Sequence, residues 1–416
     1  MILELIVPFL FFTICLLLIN NLSFFTSNTL SKNILLIAFT AKAISAVFYG
    51  YLFKTGLLLG NDSYMYFQEG NLVFSTLKEH PLMFLKLEFG RNGIVPIPNY
   101  LVSFMEDMGF WFDSGNYYLV RINALIRFFS FGIYNAHAIV FSFLSFIGLY
   151  NLYLFYEDKV NDKRLLAFFL FAIPSVVFWT SGVHKEAIVM FSLGMILYNI
   201  NELLAKKNYR FNHFFMLILG LLSLGYVRLY LLVLLLPLIV SLIAYNVFGV
   251  RKKMFLVFVV SIVIFLLMLV FVDLSTPKLS ILTELLIRRT YFLKSIGGSS
   301  FTVSGNIHSI EGFFILIWEI IVNPIFRPFP TDGNALLSSA AFLEMVVLLL
   351  IMLKLLFSTH LSNIIHNQYA IFSIIFGVST LLLIGIIVNN SGAIVRYRSV
   401  VIPFILIGLC MKSPKN

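Results

Sequence analysis

Long apolar stretches separated by short polar connections dominate the sequence. Predicted membrane spans cover about 3–19, 34–53, 134–156, 164–180, 186–203, 212–227, 229–248, 254–272, 335–356, 368–389 and 399–411. Several of them reach or approach the ~20 residues that a helix needs to cross a bilayer. A transmembrane β-barrel would instead show alternating segments of ~10 residues. The pattern predicts an all-α, polytopic transmembrane helical bundle of about eleven spans, with residues 1–416 forming a single domain.

Two long segments interrupt the series of spans, at about 54–133 and about 273–334. They are too polar to cross a membrane and too hydrophobic for disorder. In the first, residues 101–112 and 117–131 place apolar side chains at helical spacing with charges between them. In the second, residues 312–322 are amphipathic in the same way. We therefore predict helices that lie on the membrane surface in both segments.

Charge adds an orientation to this layout. The chain is 60% hydrophobic and 12% charged, whereas a soluble domain would be about 25% charged. The net charge of +10 does not indicate nucleic-acid binding, because no soluble basic domain is present to carry it. Basic residues concentrate in the short connections near 159–164, 206–210 and 251–253, which predicts that these connections are cytoplasmic. Alternating spans then place both long segments outside, as outer loops 1 and 2.

The predicted outer face carries the side chains that could take part in catalysis or binding. They are Asp62, Tyr64, His184, Lys185, Glu186, Arg228, Arg327, Asp332, Arg396 and Arg398. Asp62 follows the second predicted span directly. A carboxylate at this point can act as a general base or bind a metal ion; its structural alternative is a helix N-cap.

Two of the predicted spans are unusual at their ends. The stretch from Pro174 to Glu186 breaks an apolar run with proline and glycine and then places His184 and Lys185 near the interface. Broken helices at membrane depth occur where the backbone lines a cavity; a solvated helix cap is the alternative. Arg228 separates two apolar runs, where it can clamp an anion or extend its charge to the interface.

Two further connections also carry arginines that could bind an anion. Arg327 lies in a proline-stiffened loop, and Arg396 and Arg398 lead into the last span. Guanidinium groups bind phosphate with paired, charge-assisted hydrogen bonds. We predict that phosphate contacts come from Lys185, Arg228, Arg327, Arg396 and Arg398, and substrate contacts from Tyr64, His184, Glu186 and Asp332. Lys42 and Glu344 lie within spans, where charges are usually paired, and we expect them to face each other.

Three motifs resemble the GT-C superfamily of integral-membrane glycosyltransferases. They are Asp62-Ser-Tyr in the first outer loop, the Pro174 to Glu186 stretch, and Arg396-Tyr-Arg398 before a last span that contains Pro403. The resemblance covers most of the chain in layout and only short motifs in sequence. It departs from the family in that the acidic loop follows the second span rather than the first.

The resemblance implies an inverting enzyme of the bacterial inner membrane, with its active site facing the periplasm or exterior. Its donor would be a polyprenyl-phosphate-linked sugar, with Asp62 as the base and the basic residues around the departing phosphate. No Asp-x-Asp or Glu-x-Asp pair is present, so a divalent cofactor, Mg²⁺ or Mn²⁺, stays open. Two alternatives also stay open: a polysaccharide polymerase or ligase of the Wzy type that uses undecaprenyl-pyrophosphate-linked glycans, and a transporter of lipids or glycans.

Overall fold

The fold is known from a computed structural model that describes most of the chain. The described residues are 2–27, 29–56, 62–90, 108–204, 207–248, 257–260, 262–263, 281–294, 297–305, 309–358 and 364–411. Helices account for nearly all the regular structure in these ranges, which contain only two isolated β-bridges besides.

Fifteen α-helices follow one another in the described ranges. They are α1 (Ile2–Asn21), α2 (Lys32–Lys54), α3 (Asp62–Glu79), α4 (Pro81–Phe89), α5 (Ser114–Ser130), α6 (Tyr134–Tyr156), α7 (Lys163–Phe171), α8 (Pro174–Trp179), α9 (Lys185–Leu204), α10 (Phe211–Phe248), α11 (Ile281–Lys294), α12 (Ile310–Phe326), α13 (Ala335–Ser358), α14 (Gln368–Ile387) and α15 (Ser391–Leu409).

Eight of the described helices are long and apolar enough to cross a membrane: α1, α2, α6, α9, α10, α13, α14 and α15. The prediction of an all-helical, multi-pass membrane protein is therefore confirmed for the described ranges. The predicted span at 164–180 is divided into α7 and the short α8. The two predicted spans at 212–227 and 229–248 correspond to the two parts of α10, which the non-helical residue Arg228 separates. Most of the predicted span at 254–272 lies outside the described residues.

The first long segment, at about 54–133, contains three described helices, α3, α4 and α5. The helix predicted at 117–131 corresponds to α5, whereas the one predicted at 101–112 lies mostly outside the described residues. Residues 62–79, for which no helix was predicted, form the 18-residue helix α3. In the second long segment, at about 273–334, the amphipathic piece at 312–322 falls within α12.

Short polar side chains begin many of these helices. Asp113, Asp162, Ser309, Asn367 and Asn390 each accept hydrogen bonds from backbone N–H groups in the first turn of the helix that follows. Such caps satisfy N–H groups that have no partner within the helix. They set where a helix starts next to a polar connection, and at Asp113 the cap also forms part of the candidate site.

The chain divides into two compact units, each with its own packed helices. The first unit comprises residues 1–155, 176–199 and 210–229. The second unit comprises residues 156–175, 200–209 and 230–416.

In the first unit, α3 packs against both α4 and α5, and α1 packs against α2. Helices α6 and α9 approach each other very closely. A Cβ at Gly148 would clash with the backbone at Met190, and one at Gly194 would clash with the carbonyl oxygen of Gly148. Small residues at such crossings let two backbones meet, which is how helices associate in a membrane.

In the second unit, α14 is the central helix. It packs against α11, α12 and α15, and α15 also contacts α7 and α13. A glycine again permits one of the crossings, because a Cβ at Gly385 in α14 would clash with the carbonyl oxygen of Ile320 in α12. Arg327 and Arg398 are held on this frame, just after the end of α12 and in the first half of α15.

Candidate functional site

Arg228 separates the two helical parts of α10. Its backbone leaves helical geometry, with φ −148° and ψ 70°. The side chain is buried, at 6% exposure, and its Nη2 donates to Glu186 Oε1 at 2.8 Å. The helix break and the ion pair therefore coincide at one residue.

The partner helix α9 begins at a second irregular point. Gly182, with φ +81°, turns the chain between α8 and α9 in a left-handed conformation that favours glycine. Lys185 and Glu186 then open α9, and both are buried. His184 precedes them, with its ring edge-on to Tyr49 at a centroid distance of 4.0 Å.

The start of α5 brings a second carboxylate to this place. The Nζ of Lys185 lies 4.0 Å from Asp113 Oδ1. A Cβ at Gly115 would lie 3.3 Å from the same Nζ and 3.0 Å from the carbonyl oxygen of Tyr226, so α5 closely approaches the break in α10. We call Asp113, Lys185, Glu186 and Arg228 the lysine–arginine cluster; all four belong to the first unit.

A chain of hydrogen bonds links this cluster to α3. Asn116 donates through Nδ2 to Asp113 Oδ2 at 3.0 Å, and its Oδ1 accepts from the hydroxyl of Tyr66 at 2.7 Å. Asp62 begins α3 one turn before Tyr66, which is about 6 Å along the helix axis. Asp62 itself is exposed. Tyr66 thus anchors the N-terminal part of α3 to the start of α5.

Tyr64 faces another neighbour. Its ring stacks on Tyr134 at a centroid distance of 4.2 Å, and its hydroxyl donates to the carbonyl oxygen of Gly50 at 3.2 Å. Burial raises the pKa of Tyr64. Next to it, Ser63 is hydrogen-bonded to the Tyr134 hydroxyl at 2.6 Å. These contacts fix the orientation of α3 against the start of α6.

The second unit holds its own cluster, built around Arg327 and Asp332. The Nη1 of Arg327 lies 2.7 Å from both carboxylate oxygens of Asp332. Asp332 also accepts from the hydroxyl of Ser391 at 2.7 Å. Burial alone would raise the pKa of Asp332, but the hydrogen bonds from Ser391 and Arg327 outweigh it and lower the pKa. The guanidinium of Arg327 also covers the ring of Phe301 at 3.8 Å.

The two arginines at the start of α15 have different surroundings. Arg398 is buried, and its Nη1 donates to three carbonyl oxygens where α12 ends, those of Pro324, Ile325 and Arg327. This arrangement satisfies carbonyls that a helix C-terminus leaves without partners. Arg396 is half-buried. The structure therefore gives Arg398 a structural role that the sequence did not suggest.

The sequence-predicted residues fall into these two groups. Lys185, Glu186 and Arg228 come together in the first unit, where hydrogen bonds also anchor the helix that begins with Asp62. Arg327 and Asp332 come together in the second. Sequence reasoning missed Asp113, Asn116 and Tyr66. Asp113-Ser-Gly-Asn116 ahead of an amphipathic stretch is a helix N-cap signal, and it would have drawn attention to this point.

The two charges within spans have separate partners. Lys42 donates to the hydroxyl and the carbonyl oxygen of Thr180, at 2.7 and 3.1 Å. Glu344 accepts from the backbone N–H of Ser175 at 2.9 Å. Each of these bonds lies within one unit, and they are not the contact that the sequence predicted between the two residues.

Within the described ranges, no group of three or more His, Cys, Asp or Glu side chains has the arrangement of a metal site. No family model, curated protein or solved structure matches the chain. The fold and the site thus define a class only: an all-helical, multi-pass membrane protein with a cluster of paired charges at two helix interruptions, of which Lys185, Glu186 and Arg228 are buried.

Proposed function

We propose that the protein is an integral-membrane glycosyltransferase that moves a sugar from a polyprenyl-phosphate-linked donor to an acceptor at the non-cytoplasmic face. The observation that supports it most is the burial of Lys185 and Arg228, at 5% and 6% exposure, beside two helix interruptions. Buried charges require compensation and mark functional sites in membrane proteins. Asp113 and Glu186 pair with these two cations in the structure, and a phosphate group would share the cations with them.

The positions of Arg228 and Lys185 also suit the roles that we propose for them in this reaction. Arg228 is held in direction by Glu186, so its guanidinium is positioned before any ligand arrives. Lys185 lies at the start of α9, where the helix dipole favours an anion. Both features suit the stabilisation of negative charge that grows on a leaving phosphate, for which one positioned donor contributes about 3 to 4 kcal/mol.

The proposed reaction is a single displacement at the anomeric carbon. Asp62 takes the proton of the acceptor hydroxyl, and the hydroxyl oxygen forms the new bond to the anomeric carbon. The bond from that carbon to the phosphate oxygen breaks, and its electron pair leaves with the polyprenyl phosphate towards Lys185 and Arg228. The exposed position of Asp62 at the start of α3 suits a base that meets an acceptor from outside the membrane.

The first experiment separates catalysis from binding at Asp62. The full chain in proteoliposomes receives a panel of polyprenyl-phosphate-linked sugars, and products are identified by mass spectrometry. We expect Asp62→Asn to lower the turnover rate by about 10²–10⁴-fold without weakening the binding of sugar-free polyprenyl phosphate. Asp158→Asn is the matched control, since Asp158 is also exposed and lies in a connection predicted to be cytoplasmic. Full activity in Asp62→Asn would refute its role as the base.

The second experiment concerns the phosphate. We expect Lys185→Gln and Arg228→Gln each to weaken binding of polyprenyl phosphate by about tenfold or more, as hydrogen bonds to charged groups do. Phosphate binding by Arg327, Arg396 and Arg398 stays a prediction that the same assay tests in the second unit. Product analysis distinguishes the other candidates: transfer of a whole repeat unit would indicate a polymerase, and translocation without a new bond would indicate a transporter.

A further inference from the structure

An open polar pocket lies between α3 and α5 in the first unit. Its volume is about 650 Å³, and none of its lining residues belongs to the lysine–arginine cluster. The lining consists of Asn71, Phe74, Ser75, Leu77, Lys78, Glu79, Arg127 and Gly132. Two of these side chains, Lys78 and Arg127, are cations.

An aromatic ring and a glycine position the guanidinium of Arg127. Its guanidinium lies over the ring of Phe74, 5.3 Å from the centroid. Gly132 also lies against it, because a Cβ there would be 2.9 Å from Arg127 Cζ. Gly132 also has φ +71°, a conformation that few other residues adopt. Glycine at position 132 therefore leaves the space that the Arg127 guanidinium occupies, and any larger residue at position 132 would intrude on it.

Three polar side chains of the pocket have hydrogen-bonding groups without a partner in the described part of the chain. Neither Arg127 nor Lys78 has a hydrogen-bond acceptor or an ion-pair partner there, although Glu79 lines the same pocket. The Oδ1 atom of Asn71 is buried and has no hydrogen-bond partner among the described residues either. A half-buried guanidinium that is orientated by stacking and makes no bonds of its own is suited to an incoming anion.

The position of the pocket indicates the source of that anion. Helix α5 ends at Ser130 and the membrane-spanning helix α6 begins at Tyr134, so Arg127 lies close to the membrane boundary. Three aromatic side chains beside it, Phe128, Phe129 and Phe131, are 46%, 72% and 69% exposed. Exposed apolar side chains next to cations are typical of surfaces that enter the headgroup region of a bilayer.

We infer that this pocket binds the phosphate group of an anionic membrane lipid. Arg127 and Lys78 contact the phosphate, Asn71 contacts the polar headgroup, and the exposed phenylalanines lie against the upper part of the acyl chains. The site fixes α3 and α5 to the membrane surface. It does not depend on the proposed transferase reaction.

The test uses the full chain in an uncharged detergent, titrated with dioctanoyl phosphatidylglycerol, with binding followed by calorimetry. We expect Arg127→Gln to raise the dissociation constant by about tenfold or more, since it removes charge-assisted hydrogen bonds. Gly132→Ala is expected to weaken binding as well, because the methyl group displaces the guanidinium. Lys86→Gln is the matched control: Lys86 is exposed on the neighbouring helix α4 and does not line the pocket.

Two further ligands identify the source of the anion. Inorganic phosphate and dioctanoylglycerol are each expected to bind more weakly than the phospholipid. Inorganic phosphate lacks the acyl chains, and dioctanoylglycerol lacks the phosphate. Equal affinity of wild type and Arg127→Gln would overturn the site, and phosphate binding as tight as lipid binding would overturn the lipid as its ligand. If Arg127→Gln does not fold, Lys78→Gln applies the same test, because Lys78 is exposed and its removal leaves the packing intact.

Discussion

Replacing one member of the Arg228–Glu186 pair at a time tests whether the pair holds the candidate site together. The two groups are 6% and 1% exposed and lie 2.8 Å apart. At an effective dielectric constant of about 20, their attraction is about 6 kcal/mol. Removing two ions from water costs several kcal/mol for each ion, so the attraction and the desolvation penalty nearly cancel. The intact pair therefore contributes little net stability.

A single substitution changes this balance sharply. Glu186→Gln removes the carboxylate that accepts from the buried guanidinium, and Arg228→Gln removes the guanidinium that donates to the buried carboxylate. Breaking a buried pair in this way costs about 3 to 5 kcal/mol. The double variant removes both charges, so we expect its stability to return close to that of the wild type.

Thermal unfolding of the four proteins in detergent measures this coupling as a double-mutant cycle. Binding of polyprenyl phosphate is measured on the same samples. We expect the double variant to be stable and yet to bind the phosphate poorly, because it lacks Arg228. Additive losses of stability would refute the coupling of the pair, and a stable double variant with wild-type binding would refute the phosphate role of Arg228.

Two further predictions concern the first unit. Gly194→Leu introduces a side chain where α6 and α9 meet at Gly148, so we expect the helices to separate and the melting temperature to fall, whereas Leu at the exposed position Thr55 leaves it unchanged. Glu69 is buried, and burial raises its pKa to about 7 against opposing backbone hydrogen bonds from Phe110 and Gly109. A raised pKa stabilises the fold below the ordinary value near 4.5 and ceases to do so as the pH rises through 7. Unfolding measured between pH 4 and 8 should show this loss in the wild type and not in Glu69→Gln.

Much of the fold was predictable from the sequence because it depends on local composition. A helix that crosses a bilayer must be apolar over its whole length, so its position can be read without knowledge of its neighbours. The amphipathic periodicity of α5 was predictable for the same reason. The bounds of α3 were missed because its buried face includes Ser63, Glu69 and Thr76, which read as polar positions.

For the candidate site, the sequence indicated some of the residues but not the contacts between them. Arg228 and the stretch before Glu186 were recognisable because charges and helix breakers are rare in apolar spans. Their partners were not: the contact between Arg228 and Glu186 joins residues 42 positions apart, and that between Lys185 and Asp113 joins the start of α9 to the residue that caps α5. Periodicity carries no information about which faces of two helices meet.

Arg398 illustrates what only the tertiary structure decided. In the sequence it is one of two equivalent arginines before the last span, and both were expected to contact phosphate. In the fold, α15 places it against the carbonyl oxygens at the end of α12, where it replaces missing backbone hydrogen bonds. By itself the sequence determined that this chain is an all-helical, multi-pass membrane protein with basic residues at the ends of its spans, since bilayer insertion depends on composition. Which of these cations close a helix end and which form a cluster depended on helix packing, because packing alone brings distant residues within hydrogen-bond distance.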